Sequence, residues 1–279
     1  MMRANRTSPG KIITQVMLMS WALINIFPLY WLLTFSLKDN YEIFGGNIVG
    51  LPNNWLFSNY TQALIGGRVY LYFFNSVLVT ALTIMLTCLI SLMAVYALER
   101  MVWRGRKLVM ILLLLGLMIP IHATLLPLFI VFGRLRIIST HWALILPYTA
   151  FAIPLAILIF SGFIHSIPRE MEEAACIDGA SIYGIFFRII VPMLLPAIST
   201  VTIFTFLHSW NELLFAQIFI SRESVRTLTA GIQAMSGQYQ TNWGPIGAAL
   251  VVATFPTLLL YLLMSKEVQK SLLAGAVKG

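Results

Sequence analysis

Six apolar stretches, at about 12–37, 70–97, 108–131, 142–165, 192–216 and 244–265, fix what this chain can become. Each is near or above the roughly 20 residues that a helix needs to cross a bilayer. Composition agrees, with 59% hydrophobic and 10% charged residues against roughly 25% charged in a soluble domain. The chain reads as an all-α integral membrane protein with six transmembrane helices.

Charge sets the expected orientation. Placing the N-terminus inside puts Arg3, Arg6, Lys11, Arg100, Arg104, Arg106, Lys107, Arg169, Arg188, Lys266, Lys270 and Lys278 on the cytoplasmic side, and leaves Lys38, Arg68, Arg134, Arg136, Arg222 and Arg226 outside. That excess of inner basic residues predicts both termini in the cytoplasm. The first apolar run follows a basic start but lacks a small-residue cleavage site, so it stays as an anchor. The resulting divisions are a cytoplasmic N-terminus at 1–11, a transmembrane domain at 12–265 and a cytoplasmic tail at 266–279. In the outer segment 38–69, too polar and Pro/Gly-rich to span, a short interfacial helix anchored by Trp55 and Tyr60 is expected. The net charge of +8 does not indicate nucleic acid, because the basic residues are scattered between the spans. Cys88 and Cys176 are too few for a disulfide framework or a metal site and are expected as free thiols.

Several polar features sit within or beside the spans. Pro28, Pro120, Pro127, Pro147, Pro154 and Pro256 each remove a backbone hydrogen bond, tolerable in lipid where neighbours or a wet cavity satisfy the freed carbonyl. Kinked helices around a pathway are expected, although proline is also simply common in membrane helices. Asn75, Ser76, His122 and Thr124 are candidates for a substrate pathway and equally for helix–helix hydrogen bonds. Glu212, in the run Trp210-Asn211-Glu212, falls near the outer boundary. It reads either as an interfacial carboxylate with Trp210 as its aromatic belt anchor or, with Trp210 and Asn211, as part of a substrate cavity.

No GxxxxGK[ST] loop occurs, so any ATP must be bound by a partner. His122, His141, His165 and His208 are never at metal-ligand spacing. The residues offer no catalytic constellation, no metal site and no cofactor site of their own. An ion-driven carrier is expected to bury a charged relay, and its absence argues for an external energy source.

The one long interval that mixes charge, small residues and amphipathic periodicity is the loop at 169–192. Pro168 can open a helix there, and Gly179 can take the left-handed conformation that reverses the chain. Ala174 and Ala175 let another surface approach closely. Ile182, Ile185, Phe186 and Ile189 share one helical face at i, i+3, i+4 and i+7, which either lies on the lipid surface or seats against a partner.

Glu173-Ala174-Ala175, then Asp178-Gly179, then after nine residues Ile189, Val191 and Pro192, match the EAA pattern of ABC importer permeases, with Val191 where the pattern has Leu. The likeness extends through Pro52 to Tyr60, Asn75-Ser76, Met118-Ile119-Pro120, Ile167 to Glu170, Asp178 to Ser181, Trp210-Asn211-Glu212 and the tail Gly275 to Gly279. On these residues the chain resembles the second permease subunit of carbohydrate ABC importers, the maltose type. The resemblance implies the type I importer permease fold in a bacterial cytoplasmic (inner) membrane. It implies a heterodimer with a homologous permease, two ATPase subunits that bind ATP and Mg, and an extracytoplasmic solute-binding protein. Glu173, Ala174, Ala175, Asp178, Gly179, Ile189 and Pro192 would then form the element that docks into the ATPase. The tail would reach the ATPase dimer interface, and the long outer loop 217–243 the binding protein. A permease for a polyol or glycerol phosphate shares these motifs. A proton-coupled carrier and a membrane scaffold are the readings from other classes; the missing relay counts against the first and the ATPase-docking loop against the second.

Overall fold

A computed structural model describes residues 9–237 and 241–276 of the chain. Arg3 and Arg6 at one end, and Val277, Lys278 and Gly279 at the other, lie outside the described residues. Every regular element among the described residues is helical.

Four helices are long and apolar enough to cross a membrane: 10–35, 69–99, 142–164 and 243–264. The stretches expected at 108–131 and 192–216 are not straight spans. The first is a pair, Arg106–Met118 and Ile121–Arg134, meeting at 95°. Its corner is Ile119-Pro120, both in extended backbone. Proline has no N–H to continue the ladder and pushes the residue before it out of the α region. The second stretch begins inside another bent pair, Ile182–Met193 with Leu195–Asn211 at 72°, and its helix stops at Asn211 rather than reaching 216. Counting each bent pair as one span gives six.

The chain forms two compact units, each built from separated stretches. One comprises 1–69 with 234–254. It holds α1 (Pro9–Phe35), α2 (Asn40–Gly45), α3 (Ser58–Thr61) and a π-helical turn at Gln62–Gly66. The 18 most apolar residues of α1 include none that is buried inside the chain, so this stretch of the helix is open on every side, whereas Thr34 in its last turn is buried. Beyond α1 the backbone is pinned by polar side chains. Asp39 caps α2 by accepting from the Glu42 N–H, and Lys38, fully buried, donates to the Asn47 carbonyl at 2.6 Å. Burial pushes the Lys38 ammonium down from its ordinary pKa, against the raising influence of Glu42. Asn59 donates to the carbonyls of Ser36 and Lys38, both at 3.0 Å. The helix expected in this segment corresponds to α3 and its π turn, and the Tyr60 hydroxyl bonds to Ser36 Oγ at 2.9 Å. Trp55 is half exposed and stacks on Phe57.

The other unit comprises 70–233 with 255–279. Its helices are α4 (Val69–Glu99), α5 (Arg106–Leu115), α6 (Leu125–Arg134), α7 (Trp142–Ile164), α8 (Glu170–Ile177), α9 (Ile182–Ile185), α10 (Val191–Met193), α11 (Leu195–Asn211), α12 (Leu214–Phe219) and α13 (Leu228–Ala234). The last helix, α14 (Trp243–Ala276), begins in the first unit and ends in this one. Two apolar clusters form the interior. One gathers Leu92, Val95, Phe160, Ile164, Ile185, Phe186, Ile190 and Val201 around α7. The other gathers Val79, Phe132, Tyr148, Phe215 and Phe219.

Candidate functional site

The loop at 169–192 folds as helix, turn, helix. Arg169 is the N-cap of α8, one residue beyond Pro168, and the three carboxylates of its first turn face the positive end of the helix dipole. The chain reverses at Gly179, whose φ is +81°, the left-handed region that glycine enters at no steric cost. Ser181 then caps α9, its Oγ accepting from the Gly184 N–H at 3.2 Å, and a π-helical turn at Phe186–Ile190 carries the chain into α10 and α11.

Exposure sorts these residues differently from the apolar periodicity. Ile185 and Phe186 are buried in the chain's own interior, Phe186 against Tyr96 with ring centres 5.2 Å apart. They are therefore not the surface offered to a partner. The outward apolar residues are Met171, Ile177, 87% exposed, Ile182, Tyr183 and Phe187. Glu173, Ala174, Asp178 and Gly179 are exposed beside them, while Ala175 and Ile189 are half-buried and Pro192 is exposed. Gly179, Ala180, Ser181, Tyr183, Phe187 and Arg188 line an open groove of about 600 Å³. No residue of α8 is buried.

What ties α8 to the spans is a charged cluster absent from the residues expected at this site. Arg100 Nε pairs with Glu172 at 2.9 Å, both side chains largely shielded. The same guanidinium donates to the carbonyls of Ile164 at 2.9 Å and Ile167 at 2.6 Å. Glu99 beside it accepts from the Ser161 hydroxyl and pairs with His165 Nε2 at 3.3 Å. Spacing held the only available signal: Glu172 and Ala175, three apart on α8, share the inward face, while Glu173 faces out.

The pathway candidates fall into two groups. Asn75 is spent inside the chain: its Nδ2 donates to the carbonyls of Ser224 at 3.0 Å and Arg226 at 2.9 Å, and its Oδ1 meets His141 Nε2 at 3.1 Å. Because that amide oxygen can only accept, His141 carries its proton on Nε2, and burial holds its pKa below the usual histidine value. Ser76, next to it, receives the Leu228 N–H. These bonds fasten the start of α4 to the segment before α13.

The second group assembles where α11 ends. Glu212 breaks the helix in extended backbone and its carboxylate accepts from the Tyr148 hydroxyl at 2.7 Å and the Phe215 N–H at 3.0 Å. Tyr148 lies edge-on to His208 at 6.1 Å, and Phe215 lies 6.5 Å from the His122 ring. His122 and His208 are both exposed. Thr124 uses its hydroxyl on the Ile121 carbonyl at 2.7 Å, and Asn211, exposed, donates to Leu207 at 2.8 Å. Trp210 is no belt anchor: it is 4% exposed, stacked on Phe206 and edge-on to Phe73. An aromatic side chain so enclosed gains more from apolar contact than from the interface. Residues of α6's approach, α7 and α11 thus meet around one carboxylate, and Tyr148 and His208 join the candidates read from sequence.

The model of the family described as binding-protein-dependent transport system inner membrane component matches residues 88–272. The probable ABC transporter permease protein YurM of Bacillus subtilis (strain 168) is 38% identical over 270 residues, covering 97% of this chain and 89% of that protein. The sulfoquinovosyl glycerol transport system permease protein SmoH of Agrobacterium fabrum is also 38% identical, covering 91% of this chain and 89% of its own length. The melibiose/raffinose/stachyose import permease protein MelC of Bacillus subtilis is 33% identical over the full length of both chains. Among solved structures, a chain of a bacterial ABC transporter involved in the import of alginate superposes with a TM-score of 0.81 at 20% identity, covering 94% of this chain and 99% of that one. At that identity the likeness speaks to the fold alone.

Proposed function

Because the chain belongs to the family of binding-protein-dependent transport system inner membrane components, we propose that it is one of two permease subunits of an ATP-driven sugar importer. It forms half of the pathway for a carbohydrate handed over by an extracytoplasmic solute-binding protein. The observation that carries this reading is the helix–turn–helix at 170–193, which bears the EAA pattern and leaves Glu173, Ala174, Gly179, Ile177 and Tyr183 facing outward.

In this reading the loop is cytoplasmic and docks on an ATPase subunit, which supplies the ATP and Mg chemistry. The small Ala174 and the side-chain-free Gly179 admit the partner's surface. Ile177, Tyr183 and Phe187 give it apolar area to cover, at about 25 cal/mol for each Å² removed from water. Each bent pair counts as one span, giving six with both termini in the cytoplasm of a bacterial inner membrane. The carboxylate of Glu212, held by the enclosed Tyr148 hydroxyl and with the exposed His122 and His208 nearby, offers hydroxyl-rich substrates the mix of acceptors, donors and ring faces that sugar binding requires. A polyol or glycerol phosphate is the second reading, and the similarity to a permease named for sulfoquinovosyl glycerol favours keeping a glycerol-bearing substrate in the panel.

The test is to purify the chain with whatever co-assembles, reconstitute it with the binding protein, and measure which sugars and polyols stimulate ATP hydrolysis. Stimulation by a sugar is the expected result. Uptake that persists without ATP and collapses with an uncoupler would place the chain among ion-coupled carriers instead.

A further inference from the structure

Arg100 stands immediately beyond the last residue of α4, and its guanidinium is only 8% exposed. Three elements converge on it. The ion pair to Glu172 reaches α8, and the two donated hydrogen bonds reach the end of α7 at Ile164 and the turn beyond it at Ile167. Carbonyls at a helix C-terminus lack intrahelical donors and carry the negative end of the dipole, so a buried cation is well placed there. The rigid fork of a guanidinium serves both directions at once, which a single ammonium point charge cannot do. Glu99 adds a second tie from α4 to α7 through Ser161 and His165. Since no residue of α8 is itself buried, the helix has little apolar area with which to hold its place.

We propose that Arg100 is a positioning residue for energy coupling, locking α8 to the adjoining ends of α4 and α7 so that force on α8 moves both spans as one body. The proposal rests on the reading of α8 as the ATPase contact, and it adds the means by which a surface helix with only a small, half-buried inward face transmits a push. Without the lock, α8 would swing on the turns at Ile167 and Gly179 and the push would be lost.

The experiment uses the complete assembly with Cys88→Ser and Cys176→Ser, and spin labels on Met171→Cys and Leu158→Cys, both exposed positions on α8 and α7. Pulsed electron paramagnetic resonance gives the distance distribution with and without trapped ATP and vanadate, and co-purification of the ATPase is scored separately. The parent should give one narrow distribution that stays in place on trapping. Arg100→Gln and Glu172→Gln should each widen it about twofold as α8 gains local freedom. Arg100→Lys should fall between, and the double variant should be no wider than Arg100→Gln alone. Should Arg100→Gln fail to insert, Glu172→Gln decides, since it leaves both carbonyl bonds intact. Parent-like narrow distributions in the variants would overturn the lock while leaving the docking reading standing. Loss of ATPase from the parent itself would overturn the docking reading, and the label distances would still report whether Arg100 fixes α8.

Discussion

At Gly179 the backbone favours glycine in a way it does not at its neighbours. Its φ of +81° costs a residue with a side chain roughly 1–2 kcal/mol, and a carboxylate there would also add charge to the face that α8 and the groove present. Gly179→Asp should therefore weaken ATPase association and uptake more than Glu173→Ala, with membrane insertion of both unchanged by immunoblot of the membrane fraction. Parent-like uptake in both variants would reduce the loop to an amphipathic surface helix. His141 supplies a different kind of test. Its pKa is lowered by burial, so between the folded value and the unfolded value of about 6.5 the unfolded chain holds more protons. Stability from this group is complete above that window and declines as pH falls through it. Protection of the amides in segment 222–228, measured as the exchange rate relative to the intrinsic rate at each pH, should fall on acidification from about pH 7 toward pH 5, and His141→Gln should flatten that response. The sequence named Asn75 and His122 as polar residues within apolar stretches, but nothing in the order of residues separates a side chain spent on the chain's own carbonyls from one left open. That distinction is made by residues 66 and 151 positions away, His141 and Arg226.

Among the helices, what was legible followed from local chemistry. The apolar runs found α1, α4, α7 and α14 because length and hydropathy are properties of a segment alone. The turn at Gly179 was legible because glycine is the residue for that backbone. The corner at Pro120 was half legible: proline signalled a disturbance, yet a kink and a 95° break begin from the same missing hydrogen bond, and the neighbours on α7 and α12 decide which results. The apolar face at 182–189 was half legible for a related reason. Periodicity reports that a helix has an apolar side, and here Ile185 and Phe186 on that side pack on Tyr96 and the α7 core while Ile182 stays exposed. At the far end, α14 continues to Ala276, so residues 274–276 extend a helix rather than begin a separate segment. Deleting Ala274 to Gly279 should leave insertion intact and lower substrate-stimulated ATP hydrolysis in the reconstituted importer; unchanged hydrolysis would assign the tail no part in the ATPase contact.

For the molecule as a whole, the twelve basic residues assigned to one side against six on the other predict that cysteines introduced at positions 3 and 278 stay unlabelled by an impermeant thiol reagent added outside intact cells. Labelling of either would reverse the assigned orientation. The unit made of 1–69 and 234–254 has a further consequence, one of timing. Gly244 sits so close to the Lys38 carbonyl and Asn59 that no Cβ would fit, and Asn40 bonds both the Thr241 carbonyl and the Trp243 N–H. At about 5–20 residues per second, a ribosome that has finished Asn59 needs roughly ten to forty seconds to deliver Gly244. For that interval the outer segment that follows the first helix stands incomplete, the Asn40 amide waiting on partners not yet made. A nascent chain that stalls in the middle would display that unfinished half to whatever surveys the membrane for orphans, making the last helix to emerge the one that certifies the first.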